Sequence, residues 1–215
     1  MIYSDRTQAG QELAEALGDY AGRGDVRLLA LPRGGVPVAA QIASALRLPL
    51  DILLVRKLGI PGQEEYAMGA IASGGSVYLD QQLIAGLGIS AGQVEAVLER
   101  EQAELQRRSQ AYRGNRAEPD LQGCSVILVD DGLATGATMR AAIEAVRVRG
   151  AQAVVVAVPV GAADTCRQLE AMVDRLVCPH QLEFLRGVGL WYADFRQVSD
   201  AEVIELLQRH RQEQS

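Results

Sequence analysis

The residues most able to do chemistry lie in one stretch. Asp130 and Asp131 follow the apolar run Val126-Ile127-Leu128-Val129 and precede Gly132-Leu133-Ala134-Thr135-Gly136-Ala137-Thr138. A turn made of Ala134, Thr135, Gly136, Ala137 and Thr138 lets backbone N–H groups come close to an anion. It also sets that anion at a helix N-terminus, where unpaired donors and the helix dipole favour a phosphate. The hydroxyls of Thr135 and Thr138 can add hydrogen bonds. Two acids beside such a cradle would repel the ligand unless they grip hydroxyls or a cation. Asp130 and Asp131 therefore suit the two hydroxyls of a ribose, directly or through a magnesium ion.

Two further segments could meet negative charge. Leu31-Pro32-Arg33-Gly34-Gly35 ends an apolar run and opens a helix, and its glycines let N–H groups approach a second anion with Arg33 adding charge. Arg56-Lys57-Leu58-Gly59 is expected to end the next strand on the same sheet edge. Lys57 is the only lysine among 21 basic residues, and its ammonium could neutralise a diphosphate or steady a departing one. Leu58 after Lys57 breaks the pattern of a P-loop, and no G-x-S-x-G supplies a hydrolase nucleophile.

The elements that must carry these groups alternate in type. Val26–Leu31, Asp51–Val55, Val126–Val129, Ala153–Val158 and Arg175–Cys178 are apolar nearly throughout, as strands covered on both faces are. Val36–Leu46, Ala137–Arg149 and Ala163–Val173 have helical period, with Met139, Ile143 and Val146 forming one stripe. This is the α/β pattern of an open, mostly parallel sheet of about five strands with helices on both faces. The segment Ser73–Gln122 differs. It is glycine-rich at first, with Val77-Tyr78-Leu79 as a short strand. A capping-box pair, Ser90 and Gln93, then opens a helix with acids early and arginines late. An insertion of this kind suggests a lid or a dimer arm, and the repeat of Leu98, Leu105 and Tyr112 every seven residues on that helix favours the arm. A lid would carry Arg107, Arg108 or Arg113 toward a bound anion.

Composition narrows the function classes. At 215 residues, with 48% hydrophobic and 22% charged side chains, the chain reads as one domain, 1–215. A net charge of −6 without basic runs argues against a nucleic-acid partner. The longest apolar run, Ala153–Ala163, is too short to span a membrane. Met1–Arg6 lacks a basic region followed by an apolar one, so a cytoplasmic protein is expected. Cys124, Cys166 and Cys178 form no C-x-x-C pair and read as free thiols rather than a zinc site.

The Val126–Thr138 segment resembles the phosphoribosyl-pyrophosphate motif of type I phosphoribosyltransferases at every position that defines it. That resemblance implies the family's fold, its ligand 5-phosphoribosyl-1-pyrophosphate, a magnesium ion held with Asp130 and Asp131, and transfer of the phosphoribosyl group to a nitrogenous acceptor. It implies the 5′-phosphate on residues 134–138 and pyrophosphate on Arg33, Gly34, Gly35 and Lys57, with Lys57 as the catalytic cation. It also implies a small hood, here 179–215 with the N-terminus, that holds the acceptor. Trp191, Tyr192 and Phe195 could be its stacking platform or a core that pins the last helix, and His180 could reach an acceptor proton. Ala134 stands where hypoxanthine-guanine enzymes carry an aspartate, which disfavours that substrate class. Gly132 stands where a branched aliphatic is commoner. The segments Arg56–Gly59, Glu65–Ala70 and Val188–Phe195 extend the similarity to a group of uncharacterised bacterial phosphoribosyltransferase-like proteins. A homodimer acting on an unknown small molecule is the expectation. The alternative is a regulator that binds the same ligand without catalysis.

Overall fold

Buried strands need apolar side chains on both sides, and here alternate residues of each strand serve opposite cores. In the computed structural model, Val26, Leu28 and Ala30 pack with Ile127 and Val129 on one face, while Leu29 packs with Val126 and Leu128 on the other. The structure describes residues 3–213, without the side chains of Glu65 and Glu213. The first two and last two positions of the expected 1–215 domain lie outside these described residues.

In chain order the elements are α1 (Arg6–Ala16), β1 (Val26–Ala30), α2 (Gly35–Leu46), β2 (Leu50–Ile52), β3 (Val55–Ile60), β4 (Gln63–Ala72), β5 (Val77–Leu79), α3 (Gln81–Gly86) and α4 (Ala91–Arg113). After them come β6 (Ser125–Val129), α5 (Ala137–Val148), β7 (Ala153–Ala157), β8 (Val160–Ala162), α6 (Ala163–Glu170), β9 (Arg175–Val177), β10 (His180–Leu182) and α7 (Asp200–Glu213).

A five-stranded sheet has the order β2-β1-β6-β7-β9, and all its pairings are parallel. Residues of α1, α2 and α7 cover one face, and those of α5 and α6 the other. The chain leaves β1 toward β2 and leaves β6 toward β7, in opposite directions along the sheet. The loops after β1 and β6 therefore part company at one point, the place where ligands of open α/β sheets bind.

One expectation needs correction here. Arg56 and Lys57 do not end a strand of the main sheet. That strand is only Leu50–Ile52, and the chain then enters an antiparallel hairpin, β3 with β4, extended by β5 into a separate three-stranded sheet. Lys57 lies opposite Ala70 within this hairpin. The insertion thus begins near Val55 rather than at Ser73. Its helix α4 does open at the Ser90–Gln93 capping box.

The seam of α4 also reads differently in three dimensions. Leu105 and Tyr112 are buried in this chain's own core, and Leu98 packs against it. Tyr112 donates to Asp200 Oδ1 at 2.5 Å, joining α4 to α7. The seven-residue spacing reflects packing inside the chain and leaves no free stripe for a partner helix.

Candidate functional site

The turn after β6, residues 134–138, leaves its backbone donors unpaired among the described residues. Gly136 takes φ 72°, a left-handed conformation open to glycine, and starts α5 without a side-chain cap. A Cβ at Gly136 would lie 2.7 Å from Thr165 Cγ2. The carbonyls of the turn are pinned inward: Thr165 Oγ1 donates to Ala134 O at 2.7 Å, and Arg140 Nη1 to Thr135 O at 2.7 Å. Among the described residues, no hydrogen bond within the chain takes the N–H groups of residues 134–139. An unpaired run of donors at a helix start is a cradle for an anion. Thr165 and Arg140 were not singled out in the sequence. Arg140 lies one helical turn after Gly136, which was a usable signal; Thr165 had none.

Asp130 and Asp131 sit beside this cradle, half-buried. Asp130 Oδ1 accepts the N–H of Asp131 at 2.8 Å, and no ion pair engages Asp130 among the described residues. Asp131 is paired with Arg6, whose Nε and Nη2 lie 2.9 and 2.8 Å from Asp131 Oδ2. Burial pushes both carboxyls above the usual range, and for Asp130 the neighbouring charge of Asp131 adds to it. The guanidinium of Arg6 opposes the shift of Asp131. Arg6 lies 125 residues from Asp131, and no local pattern announced it.

The loop after β1 abuts the acid pair. A Cβ at Gly34 would lie 2.0 Å from Asp131 Oδ2, and one at Gly35 2.5 Å from Val129 O. Only glycines allow this approach. The peptide between Pro32 and Arg33 is cis, and among the described residues no hydrogen bond takes the N–H of Arg33 or Gly34. Arg33 lines a cavity of about 450 Å³ with Arg107, Arg108, Tyr112 and Asp200. Arg107 and Arg108 share the carboxylate of Glu104, and Arg33 lies 3.6 Å from Asp200. Arg113 does not join them. It is buried and bonds Asp51, Ile52 O and Glu118, so it serves packing.

Lys57 opens elsewhere. It is exposed, makes no ion pair among the described residues, and lines a cavity of about 370 Å³ with Arg56, Arg100, Glu101 and Thr138. Its neighbour Arg56 is bound to the buried Glu101 at 2.6 Å and ties the hairpin to α4. A narrow space of about 30 Å³ beside Pro32, Arg56, Arg108 and Thr138 lies between the two cavities. The structure thus brings Lys57 to Thr138, and Arg33 to Arg107 and Arg108, without placing Lys57 and Arg33 in one cavity.

The expected aromatic platform divides. Tyr192 is buried, with Tyr3 at 5.5 Å on one side and Phe195 at 5.0 Å on the other. Its hydroxyl donates to Asp131 O at 2.6 Å, and burial keeps the phenol protonated well above its ordinary range. Phe195 is covered by the Arg6 guanidinium at 4.0 Å. Tyr192 is core, while Phe195 and Trp191 are half-buried beside it. Phe184 is 88% exposed and Leu190 64%, so the open apolar groups of the hood are ones the sequence did not single out. His180 turns toward Glu12, 3.4 Å away, and its ring meets Tyr3 edge-on. Gly132 also has a use: a Cβ there would lie 2.3 Å from Val188 Cγ1, so the hood packs directly onto the acid loop.

Comparison with known proteins adds four findings. Residues 2–190 match the family model described as a phosphoribosyl transferase domain. A protein of Mycobacterium tuberculosis strain H37Rv, provisionally named a phosphoribosyl transferase, is 42% identical over 211 residues, covering 98% of this chain and 47% of that protein. The chain therefore spans about half the length of the curated relatives it matches. The crystal structure of protein TT1426 from Thermus thermophilus superposes with a TM-score of 0.87 at 38% identity, covering 97% of this chain and 99% of that one. A purine phosphoribosyltransferase from Pyrococcus horikoshii shares the fold, with a TM-score of 0.51 at 18% identity over 93% of this chain and 96% of that one.

Proposed function

The chain belongs to the phosphoribosyl transferase family, and from that premise we propose that it transfers the phosphoribosyl group of 5-phosphoribosyl-1-pyrophosphate to a nitrogenous acceptor, releasing pyrophosphate. The observation that carries this reading is the placing of unpaired N–H groups at residues 134–139 beside the half-buried Asp130 and Asp131. The donors suit a 5′-phosphate, and the acids suit the hydroxyls of the attached ribose. The free N–H groups of Arg33 and Gly34 suit the pyrophosphate.

The acid pair also fits magnesium. No cluster of three or more metal-binding side chains exists among the described residues, and magnesium usually takes one or two carboxylates and draws its other oxygens from water and phosphates. Asp130 and the remaining oxygen of Asp131 would hold it, directly or through water. When bound, the ion supplies charge neutralisation on the pyrophosphate oxygens. The chain's own share is placement. The turn and the acids fix the sugar, Lys57 stands ready to meet charge growing on the leaving group, and the insertion shields the anomeric carbon. There the C–O bond to pyrophosphate breaks as the bond to the acceptor nitrogen forms.

We read the insertion from Val55 to Leu121 as a lid rather than an arm, because the seam of α4 is already used within the chain. The acceptor would lie under the hood, near Trp191 and the exposed Phe184 and Leu190, in a cytoplasmic protein. The expected homodimer would have to use a surface other than the seam.

The test is calorimetry with phosphoribosyl pyrophosphate and magnesium, followed by a screen of nucleobases and small amines for pyrophosphate release. Binding followed by acceptor-dependent release is the expected result. Binding without release under every acceptor would favour a regulator of the same ligand. No binding at all would end both readings.

A further inference from the structure

Asp131 is held far more tightly than its neighbour, and the residue that holds it lies outside every motif. Arg6 is the first residue of α1, and its guanidinium is engaged on each edge. Nε and Nη2 reach Asp131 Oδ2 at 2.9 and 2.8 Å, and Nη1 donates to Arg196 O at 2.9 Å. One face of the guanidinium lies 4.0 Å from the centre of the Phe195 ring. The side chains of Arg6 and Asp131 are only 11% and 15% exposed. A guanidinium fixed at three points and stacked on a ring is a rigid strut rather than a drifting surface charge.

Asp131 is confined from other directions too. Gly34 presses close enough that a Cβ would fall 2.0 Å from the same Oδ2. The hydroxyl of Tyr192 holds the main-chain oxygen of Asp131 at 2.6 Å. These contacts consume one carboxylate oxygen and leave Oδ1 as the one that can face a ligand.

We infer that Arg6 is a positioning residue for the acid pair, aiming Asp131 so that the site grips sugar hydroxyls, with no part in holding the phosphate. The inference rests on the proposed phosphoribosyl ligand and adds a residue from the N-terminal helix to its recognition. A simple plug, which a ligand must push aside, would use the same contacts and predicts the opposite response to removal.

The experiment compares ribose 5-phosphate with inorganic phosphate, each with magnesium, by calorimetry on the full chain. Arg6→Gln should weaken ribose 5-phosphate about tenfold, the loss expected when a charge-assisted hydrogen bond is removed, and leave inorganic phosphate unchanged. Arg6→Lys should recover part of the loss, since it restores charge without the planar fork. In an Asp131→Asn background, Arg6→Gln should add little further, because both changes break one contact. Melting curves accompany each variant. If Arg6→Gln does not fold, Arg6→Lys carries the same two-ligand comparison. Parental binding, tighter binding, equal loss for both ligands, or full additivity with Asp131→Asn would each overturn the inference. A parent that binds phosphate but not ribose 5-phosphate would instead overturn the proposed function on which it stands.

Discussion

Two regions meet around Thr138 and are built on different terms. At the edge of the parallel sheet, donors and acids project from loops whose roots are fully buried: Ala30 and Val129 have no exposure at all. Their positions follow from strand pairing and from glycines that let the loops touch. Lys57, by contrast, rides on a hairpin whose inner half is buried at Leu58, Met68 and Ile71. Around Pro61 the hairpin is open to solvent, with Tyr66 67% exposed. Its pairing shifts register on both sides of Gly59, and such irregularities interrupt the ladder and bend the strand. Under the proposed function, the sheet edge would fix the ligand and the hairpin would cover it.

The largest expected effect belongs to the fixed side. Asp130→Asn with Asp131→Asn should weaken phosphoribosyl pyrophosphate on the order of a hundredfold, as expected for two lost charge-assisted contacts. Asp130→Asn alone, which leaves the Arg6–Asp131 pair intact, should stabilise the unliganded protein. A carboxyl whose range is raised in the folded state keeps a proton that the unfolded chain gives up. Its stability increment is present at acid pH and is lost as pH rises through the raised range. The gain of Asp130→Asn over the parent should therefore grow with pH. It should appear as roughly 2–4 °C in melting temperature per kcal/mol relieved. A double variant that binds normally, or an Asp130→Asn protein that melts below the parent at neutral pH, would remove the contrast at its root.

A smaller effect is expected on the covering side. Lys57→Ala should lower turnover about tenfold by removing one charge from the leaving group's surroundings, with ribose 5-phosphate affinity unchanged. Lys57→Arg should rescue only part of it. Equal turnover in Lys57→Ala would make the hairpin a bystander. The smallest effect is kinetic. Amides near Gly59–Ala67 should exchange hydrogen faster than those of β6 in the free protein and slow several-fold with ligand. Exchange as slow as in β6 without ligand would mean that the insertion is fixed.

Legibility in the sequence followed the same divide. Buried parallel strands announce themselves as continuous apolar runs, so β1, β6 and β7 were read within a residue of their ends. The acid pair and its turn are local, and so was the Ser90–Gln93 cap of α4. The hairpin was not recognised, because β4 mixes Gln63, Glu64 and Gly69 with apolar residues and is buried only along its inner half. The turn at Pro61-Gly62, where Gly62 has φ 80°, was its one clear mark. The spacing of Leu105 and Tyr112 gave a period but could not say which surface it met. Arg6, Thr165 and Tyr192 act on the site through long-range contacts that no window along the chain contains.

The contact between Gly132 and Val188 makes the volumes of two distant parts of the chain depend on each other. The acid loop has no side chain at Gly132, and Val188 supplies the bulk from the opposite wall. Gly132→Val alone would drive the hood off the loop. The same change paired with Val188→Ala would pass the volume from one wall to the other. The two positions should therefore drift as a pair among relatives, each free to change only when the other has made room.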